Sequence, residues 1–257
     1  MTCNERLDFL IRYLLNEREG YKDVKLPDTL SEKRRLLRSL MNVRPPAPID
    51  DDFLKEQDAY LSERLAERGI TEFRELTPVR PGIYLWQGDI TTLAVDAVVN
   101  AANSRMLGCF VPCHGCIDNA IHTYAGVQLR LECARIMGGR EGEEPAGRAK
   151  ITKAYNLPCR YVLHTVGPIV YGSVTEKDRK LLAGCYRSCL ELAAEKGLHS
   201  VAFCCISTGE FHFPNEEAAE IAIRTVQEWQ QQAPDKIEVI FNVFKDSDYE
   251  IYRRSLQ

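Results

Sequence analysis

Residues 77 to 257 predict a layered α/β domain with a largely parallel, buried central sheet, and residues 1 to 76 predict a helical extension in front of it. Three observations carry this reading. From about residue 77 short apolar runs alternate with helical patterns, the order that builds a sheet covered by helices. Those runs are continuously apolar rather than apolar on every second residue, as expected of strands buried on both faces. Before residue 77 the apolar residues recur at helical spacing and no strand pattern interrupts them. In the extension, Leu7, Leu10, Ile11, Leu14 and Leu15 mark a first helix, and Tyr21 to Lys25 end it. A second helix begins at Ser31 with Glu32 behind it, runs through Leu36, Leu37, Leu40 and Met41, and stops at Arg44-Pro45-Pro46 because proline cannot extend a helix. A third spans Asp51 to Arg68 and is closed by Gly69. The predicted strands are Ile83 to Trp86, Ala97 to Val99, Ile151 to Ala154, Tyr161 to Val166, Val201 to Ile206 and Ile237 to Phe244. Helices are expected over 117–137, 176–196, 215–232 and 246–255.

With 257 residues, 45% apolar and 27% charged, the chain has the composition of an ordinary globular protein. Its net charge of −4 gives no electrostatic case for a nucleic-acid surface, and no nucleic-acid partner is expected. No apolar run approaches the roughly 18 to 20 residues that span a bilayer. The first twenty residues mix acids and bases with their apolar residues, unlike a secretory signal. A cytoplasmic location is therefore expected, with the ten cysteines reduced. Cys159, Cys185, Cys189, Cys204 and Cys205 fall inside apolar patterns and read as small buried hydrophobes.

Ligands of parallel sheets sit at the carboxyl ends of strands, so two loops draw attention. "STGEFHFP", Ser207 to Pro214, joins a buried strand to a helix and offers small side chains and free backbone N–H groups of the kind that hold phosphate. The segment 100–116 concentrates Cys109, Cys113, His114 and Cys116 ahead of Asp118 and His122. In an irregular segment residues i and i+2 share a side, so His114 and Cys116 can face one ion while Cys113 points elsewhere. Cys109 is then the natural third ligand, in a CxxxxHxC pattern that leaves a fourth zinc position open. A redox CxxC at Cys113 to Cys116 and plain unligated cysteines are the competing readings. Asp118 opens the following helix, where it either complements the helix end or handles ligand and protons. His122 reads as a core or supporting histidine.

Taken in order, "QGDIT" (87–91), "VDAVVNAAN" (95–103), "CIDNAIH" (116–122), "YVLHTVGP" (161–168) and "CISTGEFHFP" (205–214) resemble the ADP-ribose-binding macrodomains of the MacroD branch. The branch's glycine triplet is replaced here by the Cys/His loop, which resembles a microbial subgroup of zinc-dependent macrodomains with a helical amino-terminal extension. The resemblance implies a three-layer α/β/α macrodomain with a mixed, largely parallel sheet, and an enzyme that hydrolyses ADP-ribose from mono-ADP-ribosylated proteins. It implies Asp89 and Ile90 at the adenine, Asn103 at the distal ribose, and Ser207, Thr208, Gly209, Glu210 and Phe211 around the diphosphate. It also implies zinc (Zn2+) on Cys109, His114 and Cys116, catalysis by Asp118 and Asn103, and a link to a sirtuin-like ADP-ribosyltransferase that writes the mark. Ester-linked acidic side chains fit that kinship. A non-catalytic reader with structural zinc, and an O-acetyl-ADP-ribose deacetylase, are the alternatives.

Overall fold

The computed structural model describes residues 1–138, 142–233 and 237–257. The amino-terminal third folds as helices α1 (Cys3–Asn16), α2 (Leu30–Val43) and α3 (Asp51–Arg68). Thr2 caps α1 by accepting from the Glu5 N–H while the Glu5 carboxylate accepts from the Thr2 N–H, and Thr29 caps α2 by accepting from the Glu32 N–H while its hydroxyl donates to the Glu32 carboxylate. Gly69, at φ +80°, ends α3 in a conformation that favours glycine. Leu7, Leu10, Ile11 and Leu14 of α1, Leu37, Leu40 and Met41 of α2, and Phe53, Tyr60 and Leu61 of α3 close a small core of their own.

The rest of the chain supplies strands β1 (Thr71–Glu72), β2 (Pro78–Arg80), β3 (Ile83–Gln87), β4 (Leu93–Ala94), β5 (Ala97–Ala101), β6 (Ala149–Lys153), β7 (Tyr161–Thr165), β8 (Ser200–Phe203) and β9 (Glu238–Val243). Its helices are α4 (Ile117–Ala125), α5 (Val127–Met137), α6 (Glu176–Glu195), α7 (Asn215–Gln232) and α8 (Asp246–Ser255). Seven strands form one sheet in the order β2-β3-β9-β8-β5-β7-β6, while β1 and β4 pair separately. The five central strands run parallel, and β2 and β6 close the two edges antiparallel. Helices pack on both faces, giving the three-layer α/β/α arrangement with a mixed, largely parallel sheet. The main core runs through Val98, Val99, Val162, Leu163, Val201, Ile240 and the helix residues Leu129, Leu182, Leu190 and Val226. Cys159, Cys185, Cys189 and Cys204 are buried in it as small hydrophobes, with Cys205 half-buried.

Two differences from the sequence reading have clear causes. The helix expected over 117–137 is two helices, α4 and α5, broken at Gly126. That residue has φ +96°, and a Cβ on it would lie 2.7 Å from Nε2 of Gln57 in α3, so the extension approaches where only glycine fits. Near the end of α5, Ile136 is exposed and the neighbouring Met137 is buried. The short strands β1, β2 and β4 were not expected, because two or three residues are too few to show a period.

Among the described residues no helix is long and apolar enough to cross a membrane.

Candidate active site

Because the central strands are parallel, the segments leaving β3, β5, β8 and β9 gather at one end of the sheet. Asn100 is the last buried residue of β5, and its amide donates both hydrogens: to Asp118 Oδ1 at 2.8 Å and toward His164 Nδ1 at 3.2 Å. Asn103, just beyond the strand, donates to Asp118 Oδ2 at 3.2 Å and to the Gly108 carbonyl at 3.0 Å. Asp118 is thus held at both oxygens, in the first turn of α4, with 5% of its surface exposed. Burial raises its carboxyl to about 6, against the opposing pull of Asn100, Arg130 and Asn103. His122 lies one turn along with Nε2 3.5 Å from Asp118 Oδ1, and burial first, then His164 and Arg130, depress its pKa so that it stays neutral. Gly108 has φ +79°, and a Cβ there would come within 2.7 Å of the His122 ring.

Cys109, His114 and Cys116 come together, each offering a ligand atom within 4.8 Å of the others. Cys116 is the N-cap of α4, its sulfur accepting from the Asn119 N–H at 3.4 Å. Burial pushes its thiol up to about 12, with Cys109 and Asp118 adding to the rise, so it ionises readily only beside a cation. His114 Nδ1 is buried without a hydrogen-bond partner, and Nε2 lies 3.6 Å from Glu210 Oε1. A close set of two sulfurs and an imidazole with an orphaned ring nitrogen suits zinc or a similar soft-to-borderline ion. Cys113 takes φ +53° and turns its sulfur away, to 3.2 Å from Ser39 Oγ. A second cluster, His122, Cys133 and His164, is wholly buried. Both nitrogens of His164 are already engaged, by Asn100 and by Thr152 Oγ1 at 2.9 Å, so that cluster reads as an internal hydrogen-bonded network.

The loop after β8 faces the Cys/His triad through Glu210, whose Oε1 lies 3.6 Å from His114 Nε2. Ser207 has φ +66° and a buried hydroxyl without a partner among the described residues, and a Cβ on Gly167 would clash with it, so the Ser207 side chain is pressed against the Gly167 backbone under the loop. Thr208 donates to the Cys205 carbonyl, while Gly209 and Glu210 are exposed and Phe211 is half-buried. At the far end, Asp89 caps the 3-10 turn Ile90–Thr92, accepting from the Thr91 N–H at 3.0 Å and hydroxyl at 2.6 Å. Ile90 itself is buried.

Several residues in and around this site were not picked out from the sequence. Arg130 of α5 donates from Nε to the Leu107 carbonyl at 2.7 Å and from Nη1 to the Met41, Asn42 and Arg44 carbonyls, tying the Cys/His loop to the end of α2. From α2, Arg38 donates to the His114 carbonyl at 3.0 Å, and Asn42 Oδ1 accepts from the Cys113 N–H at 2.9 Å. Arg68 at the end of α3 donates to Asp89 Oδ2 at 3.0 Å and stacks on the Tyr124 ring at 3.7 Å. Phe244, 75% exposed, directly follows β9, the strand paired with β3 that ends one residue short of Gly88 and Asp89. An apolar residue at the end of a strand carries no signal of its own; only the sheet order places Phe244 near Asp89.

Known proteins share this arrangement. The Macro domain model matches residues 99–222. A protein of Treponema medium named protein-ADP-ribose hydrolase is 55% identical over 99% of both chains. A protein of the same name from Staphylococcus aureus (strain MRSA252) is 48% identical over 97% of this chain and 94% of its own length. The Trypanosoma brucei macrodomain solved in complex with ADP-ribose matches with a TM-score of 0.66 at 30% identity, covering 90% of this chain and 97% of that one. The chain belongs to the macrodomain family, and within it to the hydrolases.

Proposed function

We propose that the protein hydrolyses the bond between ADP-ribose and a side chain of a mono-ADP-ribosylated protein, releasing ADP-ribose, with zinc held by Cys109, His114 and Cys116. The observation that carries this is the meeting of Asp118, doubly held and buried, with the Cys/His triad at the strand-end surface that also bears Asp89 and the 207–211 loop. In this reading the adenine lies between Asp89 and the open ring of Phe244, and the Ile90 backbone adds a polar contact. Ser207 to Phe211 cradle the diphosphate through backbone N–H groups, which suits a chain whose net charge is mildly negative. The distal ribose then reaches Asn103 and Asp118. With a pKa of about 6 the Asp118 carboxyl is largely ionised at neutral pH, so it can hold a ribose hydroxyl and accept the proton that the attacking water gives up. Asn103 keeps one lone pair of Oδ1 free for the sugar after accepting from the Arg105 N–H, and its amide keeps Asp118 in register. A zinc ion in the triad would supply positive charge and an open coordination position beside that ribose.

A cytoplasmic setting goes with this reading, since all ten cysteines are free. A sirtuin-like ADP-ribosyltransferase is the proposed writer of the mark, and an ester-linked acidic residue the proposed attachment, on the strength of the subgroup resemblance.

Metal analysis of purified protein, paired with the release of ADP-ribose from a mono-ADP-ribosylated protein, tests the proposal. The expected result is about one zinc per chain, lost together with turnover in Cys116→Ala. Full activity in a verified metal-free sample would reject the zinc assignment. ADP-ribose binding without release would leave a reader, and faster turnover of O-acetyl-ADP-ribose than of the protein substrate would leave a deacetylase.

A further inference from the structure

A cleft beside the site lies away from the strand ends. It lies between the extension and α4, holds about 440 Å³ and ends at Cys113, the residue before the triad's His114. This volume falls in the range of working binding sites. Leu37 and Leu61 help form an apolar floor, and Arg34, Arg35, Arg38 and Arg64 line the cleft above it. The chain as a whole is acidic, yet α2 places Lys33, Arg34, Arg35 and Arg38 against the single acid Glu32.

Part of that positive charge is cancelled locally, since Lys33 pairs with Asp8. Arg34 and Arg64 share one carboxylate, Glu67. Arg38 is bonded only to neutral acceptors, Asn119 Oδ1 at 2.7 Å and the His114 carbonyl. Arg35 is exposed and makes no ion pair among the described residues. Four guanidinium groups facing one carboxylate leave an opening complementary to anions, and guanidinium clusters recognise carboxylates through paired, charge-assisted hydrogen bonds. The same loop that ends the cleft also presents Phe110 and Val111, 42% and 55% exposed, between the ligand positions Cys109 and His114. Apolar side chains beside unpaired arginines have the composition of a protein-facing surface.

We propose that this arginine cleft docks an acidic segment of the modified protein, next to the residue whose ADP-ribose enters the site. The inference rests on the hydrolase reading above and adds the substrate's own sequence to what is recognised. A segment bound along α2 and α4 emerges at Cys113, so its neighbouring residue is delivered to His114 and Asp118. Selectivity for acidic surroundings then comes from the extension and leaves recognition of the nucleotide to the strand ends.

The test uses full-length protein and two synthetic peptides mono-ADP-ribosylated at one residue, one with glutamate-rich flanks and one with lysine-rich flanks, together with the unmodified glutamate-rich peptide carrying a fluorophore. The expected result is a preference of about tenfold or more in kcat/KM for the acidic peptide, carried by KM and weakened by salt. In Arg34→Glu/Arg35→Glu that preference is lost while the affinity for free ADP-ribose is unchanged. Anisotropy of the unmodified peptide reads docking alone, so a protein that releases no ADP-ribose would refute the hydrolase reading and leave docking measurable. Equal use of the two peptides, or a preference or peptide affinity that survives the double charge reversal, overturns the docking site. Tighter binding of a single-stranded oligonucleotide, lost in the same variant, overturns it in favour of a nucleic acid.

Discussion

Helices α2 and α4 pack together and use polar residues in opposite ways. The buried side of α4 is itself polar: Asp118, Asn119, His122 and Thr123 are all withdrawn from water, and Cys116 caps its start. The buried side of α2 is mainly apolar, Leu37, Leu40 and Met41 with Asn42 as its one buried polar residue, and Arg38, Ser39 and Asn42 hold the segment from Cys113 to Asn119. On the proposed function, α4 carries the reacting groups and α2 fixes where they stand. A buried carboxylate is costly unless its partners are rigid, so the two helices are energetically coupled even though about 80 residues separate them.

The largest test of this division is Asp118→Asn. Removing the proton acceptor should cost about 100-fold or more in ADP-ribose release, with the affinity for ADP-ribose largely kept. If the variant retained most of its rate, α4 would be a scaffold like α2 and the contrast would collapse. The same residue gives a pH signature. Its folded pKa, about 6, lies above the ordinary 3.8, so ionisation costs stability: the penalty is absent below 3.8, grows through the window and is full above about 6. In metal-free protein the parent should therefore lose stability relative to Asp118→Asn as pH rises across that window, while hydrolysis by the parent falls as pH drops through about 6.

Next in size is Arg130→Met, which strips the link between the α2 carbonyls and the metal loop. Unpairing buried carbonyls should cost about 3 kcal/mol in a denaturant titration and lower the zinc retained per chain. A stability loss with zinc content and specific activity intact would mean that α2 merely packs. The smallest effect is expected from Arg68→Ala. Asp89 keeps its contacts from Thr91 and loses one ion pair, so ADP-ribose should bind about fivefold more weakly, roughly 1 kcal/mol by calorimetry, at an unchanged kcat.

What could be read from the sequence follows the same contrast. The alternation of apolar runs and helices foretold the sheet, the two loops and the close set Cys109, His114 and Cys116, because those signals are short in range. The left-handed turn at Cys113 agrees with the i, i+2 argument that sent its side chain away from the triad. Arg130, Arg38, Asn42 and Arg68 were silent: an arginine on a helix looks the same in sequence whether it meets water or, as Arg130 does, five carbonyls from the end of α2 and the loop before α4. The break at Gly126 was hidden for a related reason, since an apolar stripe runs on through it and only Gln57, from the extension, explains why the chain must turn there.

Among the described residues, Val127 is the one residue of the α/β part that joins the apolar core of the amino-terminal helices. The junction of the two parts is consequently sewn with hydrogen bonds and the Arg68–Asp89 ion pair more than with oil, and a shortened chain lacking the helices would bare little greasy surface. Such a fragment should stay dissolved and keep its sheet, while the strand-end catalytic apparatus goes slack.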